Sequence, residues 1–353
     1  MASKRIAVLS PCAWRTPPRQ YGAWETVASN ITEGLVRRGW DVTLFATGDS
    51  ITKANLVSAV DKSYEEDRQQ DPKVSECLHI SEVMERASEY DLIHNNYDFL
   101  PLTYSRLIDT PMLTTIHGFS SPKILPAYHK YRDTSYFVSI SDSDRDPGLE
   151  YVDTVYNGID LKDFTYNEKS GDKLVFLGRI HPDKGVHLAA EAAKKAGMEL
   201  LIAGIIQDEE YFTTMVKPHI DGKQIQYVGP VGPREREELL AQALAVLHLN
   251  TLPERFGLVM AEAMAVGVPV IALDRGSCRE VVADGTTGFV VEDVDDAVAA
   301  IHKIDTISRK ACRDRVEQNF SLDVMVENYE KVYHEIFRRQ GGRHARSYNE
   351  IPK

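Results

Sequence analysis

The sequence predicts an α/β protein made of two consecutive doubly wound parallel-sheet domains. Three observations carry that expectation. Short apolar runs alternate with segments of helical periodicity, the pattern of parallel strands joined by crossover helices. The alternation passes through the first half and begins again after a polar stretch, Asn157 to Lys173. The length, 353 residues, suits two domains. In order, Arg5 to Ser10 reads as a strand, and Trp24 to Arg38 as a helix with Val27, Ile31 and Leu35 on one face, ended by Gly39. Val42 to Ala46, Leu92 to His94, Met112 to Ile116, Tyr136 to Ile140 and Thr154 to Tyr156 read as strands. Ser81 to Glu89 and Leu100 to Ile108 read as helices, and Glu65 to Lys73 as a charged loop. The second series gives strands at Leu174 to Leu177, Leu200 to Ala203, Ile225 to Val228 and Val268 to Ala272. Its helices are Val186 to Ala196, Glu209 to Val216, Pro233 to Leu244 and Leu258 to Val266. A last helix, Leu322 to Arg338, carries Tyr329, Tyr333 and Phe337 at four-residue steps, and a polar basic tail follows. The expected division is 1–160, 161–320, the helix 321–338 and a frayed tail 339–353.

The net charge of -12 argues against a general nucleic-acid binder, which needs a basic face. Local basic positions such as Lys123, Lys130 and Arg132 leave room for peripheral membrane contact. No apolar run reaches the ~18–20 residues of a spanning helix, so no integral membrane segment is expected. The N-terminus reads as a first strand rather than a signal peptide. Cys12, Cys77, Cys278 and Cys312 are far apart and lack zinc-ligand spacing. A reduced cytoplasmic setting is expected.

Ligands of doubly wound sheets bind outside the carboxyl ends of strands, and two segments stand there. In Gly178-Arg179-Ile180-His181-Pro182-Asp183-Lys184-Gly185, a strand runs into a loop that opens a helix. Arg179 and Lys184 can both reach a diphosphate, one as a fork and one as a point charge. In Asn250 to Ala272, Glu254 lies in a loop and Glu262 inside a helix, with Phe256-Gly257-Leu258 at the helix mouth. Free N–H groups there favour an anion, and two carboxylates can read hydroxyls. Together these suit a nucleoside diphosphate sugar.

These segments resemble retaining glycosyltransferases of family 4. GRIHPDKG is similar to that family's G-R-x-x-x-x-K-G phosphate signature, and ERFGLVMAE to its E-x7-E element. Asn157-Gly158-Ile159-Asp160 matches its NGID turn. Arg275-Gly276 through Glu280 and Asp284-Gly285-Thr286-Thr287-Gly288-Phe289 resemble its tail, with a single glycine and with Cys278 in place of a small residue or Pro. Pro18 to Glu25 resembles its Gly-Gly-x-Glu loop, with Gly22 kept and Ala23 in place of the second glycine. The resemblance implies a GT-B fold, two Rossmann-like domains facing a cleft that closes on the donor about a hinge at Asn157 to Lys173, with the last helix crossing back to the first domain. It implies donor contacts from Gly22 and Ala23. His117, at a strand end, matches a histidine that lies beside the donor sugar in several members. His94, also at a strand end, and Tyr97 just after it are candidates for the acceptor side.

The implied reaction is a retaining transfer of a hexose to an acceptor hydroxyl. Arg179, Lys184, Glu254 and His117 form the catalytic set. Glu262 reads the ribose, Glu254 the sugar, and Phe256, Gly257 and Leu258 supply the helix mouth. Asp142-Ser143-Asp144 and Asp293-Val294-Asp295 read as helix starts, where acids suit the dipole, rather than metal ligands. No metal and no other cofactor is therefore expected. The same residues also fit a sugar phosphorylase or a nucleotide-sugar epimerase or hydrolase of this fold, and a non-catalytic nucleotide-sugar-binding protein.

Overall fold

A computed structural model describes residues 4–19, 22–119 and 121–349, with side chains through residue 341. Gln20 and Tyr21 of the Pro18 to Glu25 loop, residues 1–3 and the end of the expected tail lie outside the described residues. The chain divides into two compact units. The first holds the residues up to Ile140, Asp144–Gly158 and the chain from Leu322 onward; the second holds Ser141–Ser143 and Ile159–Ser321.

In the first unit, seven parallel strands form one sheet. They are β1 Arg5–Leu9, β2 Asp41–Phe45, β3 Asn55–Val57, β4 Leu92–Asn95, β5 Met112–Ile116, β6 Tyr136–Ser139 and β7 Tyr151–Thr154, in the order β3-β2-β1-β4-β5-β6-β7. Every residue of β4 and β5 is buried, polar His94, Asn95, Thr114 and Thr115 together with apolar Leu92, Ile93, Met112, Leu113 and Ile116, as in a sheet covered on both faces. Helices α1 Ala23–Arg37, α2 Pro72–Glu85 and α3 Leu125–Tyr131 belong to this unit, as does the final helix, Leu322–Asn349. Tyr329 and Tyr333 of the final helix are fully buried and bond to Thr115 Oγ1 at 2.9 Å and His94 Nδ1 at 2.7 Å. Strand order reverses direction between β1 and β4.

The second unit repeats the plan. Its strands are β8 Lys173–Leu177, β9 Leu200–Ala203, β10 Ile225–Gly229, β11 Ala243–His248, β12 Val270–Leu273 and β13 Gly288–Val291, in the order β10-β9-β8-β11-β12-β13. Its helices are α4 Val186–Ala196, α5 Glu209–Tyr211, α6 Pro233–Ala241, α7 Leu258–Val266, α8 Cys278–Val281, α9 Val294–Ile301 and α10 Arg309–Asn319. Helix α7 is buried from Met260 to Val266. A helix apolar on all sides must be interior, so its single charge, Glu262, is a buried carboxylate. The reversal point lies between β8 and β11.

Several elements differ from the sequence reading. Helix α2 starts at Pro72, not Ser81, because Asp71 caps it through the Lys73 and Val74 N–H groups and proline is tolerated at the first position. The helix expected over Leu100 to Ile108 is one short 3₁₀ stretch, Leu100–Tyr104. Strand β7 lies at Tyr151–Thr154, earlier than Thr154 to Tyr156. The final helix continues past Arg338 to Asn349, and Glu335 pairs with Arg338 at 2.8 Å and Arg339 at 2.7 Å around its expected end.

Candidate active site

At the reversal point of the second sheet, β8 hands the chain to Gly178 and Arg179. The Arg179 guanidinium donates to Gln207 Oε1 and lies 3.5 Å from Asp183 Oδ2. Five residues on, Lys184 Nζ donates to Glu254 Oε2 at 2.8 Å. What aims Lys184 is the next residue. Gly185 has φ +62, and a Cβ there would lie 1.9 Å from Leu249 O, so only glycine lets this loop press against the chain leaving β11. A hydrogen bond from Thr251 N to Asp183 O at 2.9 Å ties the two loops together.

The second loop holds Glu254 as the common acceptor of four donors. His248 Nε2 lies 3.0 Å from Oε2 and, facing a carboxylate, carries the proton and donates it. Asn250 Nδ2 donates to the same oxygen. Lys184 is the third donor, and Arg255 N–H donates to Oε1 at 3.0 Å. Burial pushes the Glu254 carboxyl up, but the His248 hydrogen bond and the Lys184 charge outweigh it and hold the group well below the usual carboxylate range.

Glu262 sits in α7 at 7 % exposure and accepts from Arg236 Nη1 of α6 at 2.8 Å. Burial raises its pKa and Arg236 opposes that rise. The Arg236 guanidinium also lies 5.2 Å from the Phe164 ring centroid. Gly257 caps α7, and Leu258 opens it, which leaves the first-turn N–H groups pointing outward. The Phe256 ring is 1 % exposed and packs edge-on against Phe320 at 5.5 Å. Only its backbone is therefore placed for a donor contact.

In the first unit, Gly22, Ala23 and Tyr97 line one cavity of about 480 Å³. Gly22 has φ +145, and a Cβ there would meet Glu25 Oε2 at 2.9 Å. Ala23 is the first residue of α1, so the alanine that replaces a glycine needs no left-handed backbone and offers a free first-turn N–H. His117 follows β5 and stacks on Trp24 at 5.5 Å, with Nε2 3.1 Å from Asn96 Oδ1. Burial pushes its pKa down to about 3, so the ring is neutral at physiological pH. Its Nδ1 is buried without a partner among the described residues.

His94 is not on the acceptor side. It is fully buried, with Nδ1 on Tyr333 OH at 2.7 Å and Nε2 on Thr115 Oγ1 at 2.7 Å, a core histidine with both nitrogens satisfied. Of the two acidic triplets, only Asp293 starts a helix, capping α9 through Asp296 N at 2.9 Å. Asp142 and Ser143 instead stand in a bend and donate their backbone N–H groups to Glu280 at 2.8 and 2.9 Å. Among the described residues, no three or more His, Cys, Asp or Glu side chains are grouped to hold a metal, and no helix is long and apolar enough to cross a membrane. Gln207, Arg236, His248 and Asn250 were not singled out in the sequence. Only the last two carried a signal, since His248 ends β11 and Asn250 follows it at a strand's carboxyl end.

Comparison with known proteins gives concordant matches. Residues 24–163 match Glycosyltransferase Family 4 and residues 160–319 match Glycosyl transferases group 1. A glycogen synthase of Mycobacterium tuberculosis is 26 % identical over 290 residues, which cover 70 % of this chain and 70 % of that protein. Sucrose-phosphate synthase from Thermosynechococcus elongatus superposes with TM-score 0.76 at 19 % identity, over 95 % of this chain and 100 % of that one. Anabaena HepE in complex with UDP-glucose superposes with TM-score 0.71 at 18 % identity, over 94 % and 100 %. At such identities the solved structures establish the fold.

Proposed function

The chain belongs to the family 4 glycosyltransferases of GT-B fold, and we propose that it moves a hexose from a nucleoside diphosphate sugar to an acceptor hydroxyl, with retention and without a metal. The observation that carries this reading is the convergence of Lys184, His248 and Asn250 on one oxygen of Glu254, beside Arg179, at the reversal point of the second sheet. Two cations and a helix mouth suit a diphosphate. HepE, whose solved complex contains UDP-glucose, supports a nucleoside diphosphate sugar as the donor.

In this reading the bond between the anomeric carbon and the β-phosphate oxygen breaks, and a bond to the acceptor oxygen forms on the same face. The acceptor proton passes to the departing phosphate oxygen. Positive charge grows on the sugar and negative charge on the diphosphate, where Arg179, Lys184 and the N–H groups around Gly257 and Leu258 stabilise it. Three donors meet on Glu254 Oε2, whereas Oε1 accepts Arg255 N–H and keeps a position for a sugar hydroxyl. When Lys184 turns to the diphosphate, Oε2 gains a free position as well. Glu262 takes the ribose hydroxyls, with Arg236 Nη1 holding its Oε1 in place. His117, neutral and with Nδ1 free to accept, takes an outer sugar hydroxyl.

The test is incubation of the full chain with UDP-, GDP-, ADP- and dTDP-hexoses and a panel of hydroxyl acceptors. Release of nucleoside diphosphate is followed, and proton NMR reads the product's anomeric configuration. Retained configuration is expected. An inverted product, or turnover that requires inorganic phosphate, would refute the proposal.

A further inference from the structure

The second unit holds a buried charge that the proposed reaction does not use. Arg309, the first residue of α10, is 8 % exposed. Its guanidinium donates to two backbone carbonyls, from Nε to Asn167 O at 2.7 Å and from Nη1 to Ala243 O at 3.2 Å. Among the described residues it pairs with no carboxylate, and its Nη2 is buried without an acceptor. Burial accordingly pushes its pKa below the ordinary guanidinium value. A buried cation is costly to hold unless a partner supplies the opposite charge. Its position adds to that cost. Arg309 and Lys310 stand in the first turn of an 11-residue helix that has no acid in that turn, where the helix dipole disfavours cations and favours anions.

Arg309 and Lys310 line a cavity of about 320 Å³. It opens among the segments that enter three strands, with Ser170 before β8, Leu244 at the start of β11 and Pro269 just before β12. These are the amino ends of the strands, opposite the carboxyl ends that carry Arg179, Lys184 and Glu254. We propose that this cavity is a second anion site, separate from the candidate active site, and that it binds a phosphate group, free or carried on a small phosphomonoester. The donors are at hand. Ser308 Oγ caps the Ala311 N–H at 3.3 Å, which leaves the Arg309 and Lys310 N–H groups without intrahelical acceptors. Arg309 supplies the buried charge, and Lys310, paired with Asp314 at the surface, a second one. Glu168 and Asp305 also line the cavity, but both are exposed. Water and salt screen their repulsion, whereas a buried charge is screened far less. The volume exceeds what one phosphate fills, and Leu244, Pro269, Ile304 and Ile307 give the remainder an apolar wall suited to the body of an ester.

The test measures binding by calorimetry on the full chain carrying Arg179→Ala and Lys184→Ala, so that any remaining anion site lies away from the proposed diphosphate cradle. Inorganic phosphate, glycerol 3-phosphate and glycerol are titrated at matched ionic strength. Both anions should bind and glycerol should not. Tighter binding of glycerol 3-phosphate assigns the ester, and tighter binding of inorganic phosphate assigns the free ion. Adding Arg309→Met should weaken both by about tenfold or more, the worth of one interaction with a charged donor. Should Arg309→Met fail to fold in melting curves, two surface variants decide. Lys310→Gln should weaken phosphate and Asp305→Asn should tighten it, each by about twofold or more. No phosphate binding in the starting variant, binding unchanged by Arg309→Met or, where that chain does not fold, unchanged by both surface variants overturns the proposal.

Discussion

Lys184→Gln separates what the Lys184–Glu254 pair does for folding from what Lys184 does for the reaction. The lysine supplies one of four hydrogen bonds to Glu254 and a formal positive charge at 2.8 Å. Glutamine keeps a donor on the same stem direction but loses the charge. Both partners are mostly buried, with side chains 22 % and 10 % exposed. Deleting one charge-assisted bond costs about 1.5–3 kcal/mol. The upper part of the range for an uncompensated buried charge is not reached, because His248, Asn250 and Arg255 N–H still hold the carboxylate. Denaturant unfolding should therefore show a loss of about 1–2 kcal/mol, against a fall in turnover of at least ~100-fold, the usual consequence of removing an aimed charge-stabilising donor. The pH dependence has a defined sign. Glu254 is held below its unfolded pKa, so its contribution is complete above the unfolded value of about 4.3 and is lost as pH falls toward the folded one. The stability gap between wild type and variant should be full at pH 7 and close only as pH falls toward the folded value, well below the usual carboxylate range. Turnover within threefold of wild type would refute the diphosphate assignment. A variant as stable as wild type at pH 7 would refute the electrostatic account of the pair.

Glu262→Gln should weaken free nucleoside diphosphate about tenfold or more by calorimetry, whereas Glu254→Gln should weaken the intact donor and leave the free nucleotide nearly alone; the reverse pattern would exchange the two roles. Turnover should persist in EDTA, with Arg179 and Lys184 supplying the charge, and loss restored by magnesium or manganese would contradict this. Burial raises Glu25 to about 7, so the folded state is penalised for ionising it, and stability falls as pH rises from about 4.3 through 7. Glu25→Gln should then melt at a higher temperature than wild type at pH 8, by an effect on the order of 3 kcal/mol, and little differently at pH 4; equal melting curves at pH 8 would show that Glu25 is not desolvated.

What the sequence made legible follows from which interactions are local. Buried parallel strands such as β9, Leu-Leu-Ile-Ala, read directly, because both faces are apolar. The three-residue edge strand β3, with Leu56 36 % exposed, has no such signature. The start of α2 was written in Asp71-Pro72, a cap followed by a first-turn proline, and was outweighed by the charge of the surrounding stretch. At the site, Arg179, Lys184, Glu254 and Glu262 stood out as charged residues at strand and helix ends. Their partners did not. Arg236 lies 26 positions from Glu262, and Gln207 lies 28 from Arg179. The misplacement of His94 has the same origin. A strand-end histidine is a reasonable site candidate until Thr115 and Tyr333, 21 and 239 positions away, occupy both of its nitrogens.

The contrast between the two reversal points bears on why one architecture, used twice in a chain, can serve two substrates. Parallel-sheet topology dictates where each crevice opens but not its charge, which comes from the loops that leave the strands. After β8 and β11 those loops carry Arg179, Lys184 and Glu254, with the Glu254 charge matched by Lys184 and its position fixed by His248 and Asn250. After β1 and β4 the neighbouring acids, Glu25, Glu76 and Asp98, face rings and hydroxyls with no cation in the described lining. The same crevice also holds the first turn of α1, where Ala23 presents a backbone N–H suited to an anion. Its charge is therefore not set by the acids alone: the helix mouth favours a phosphate at one place, while Glu76 and Asp98 offer acceptor oxygens to hydroxyls at another.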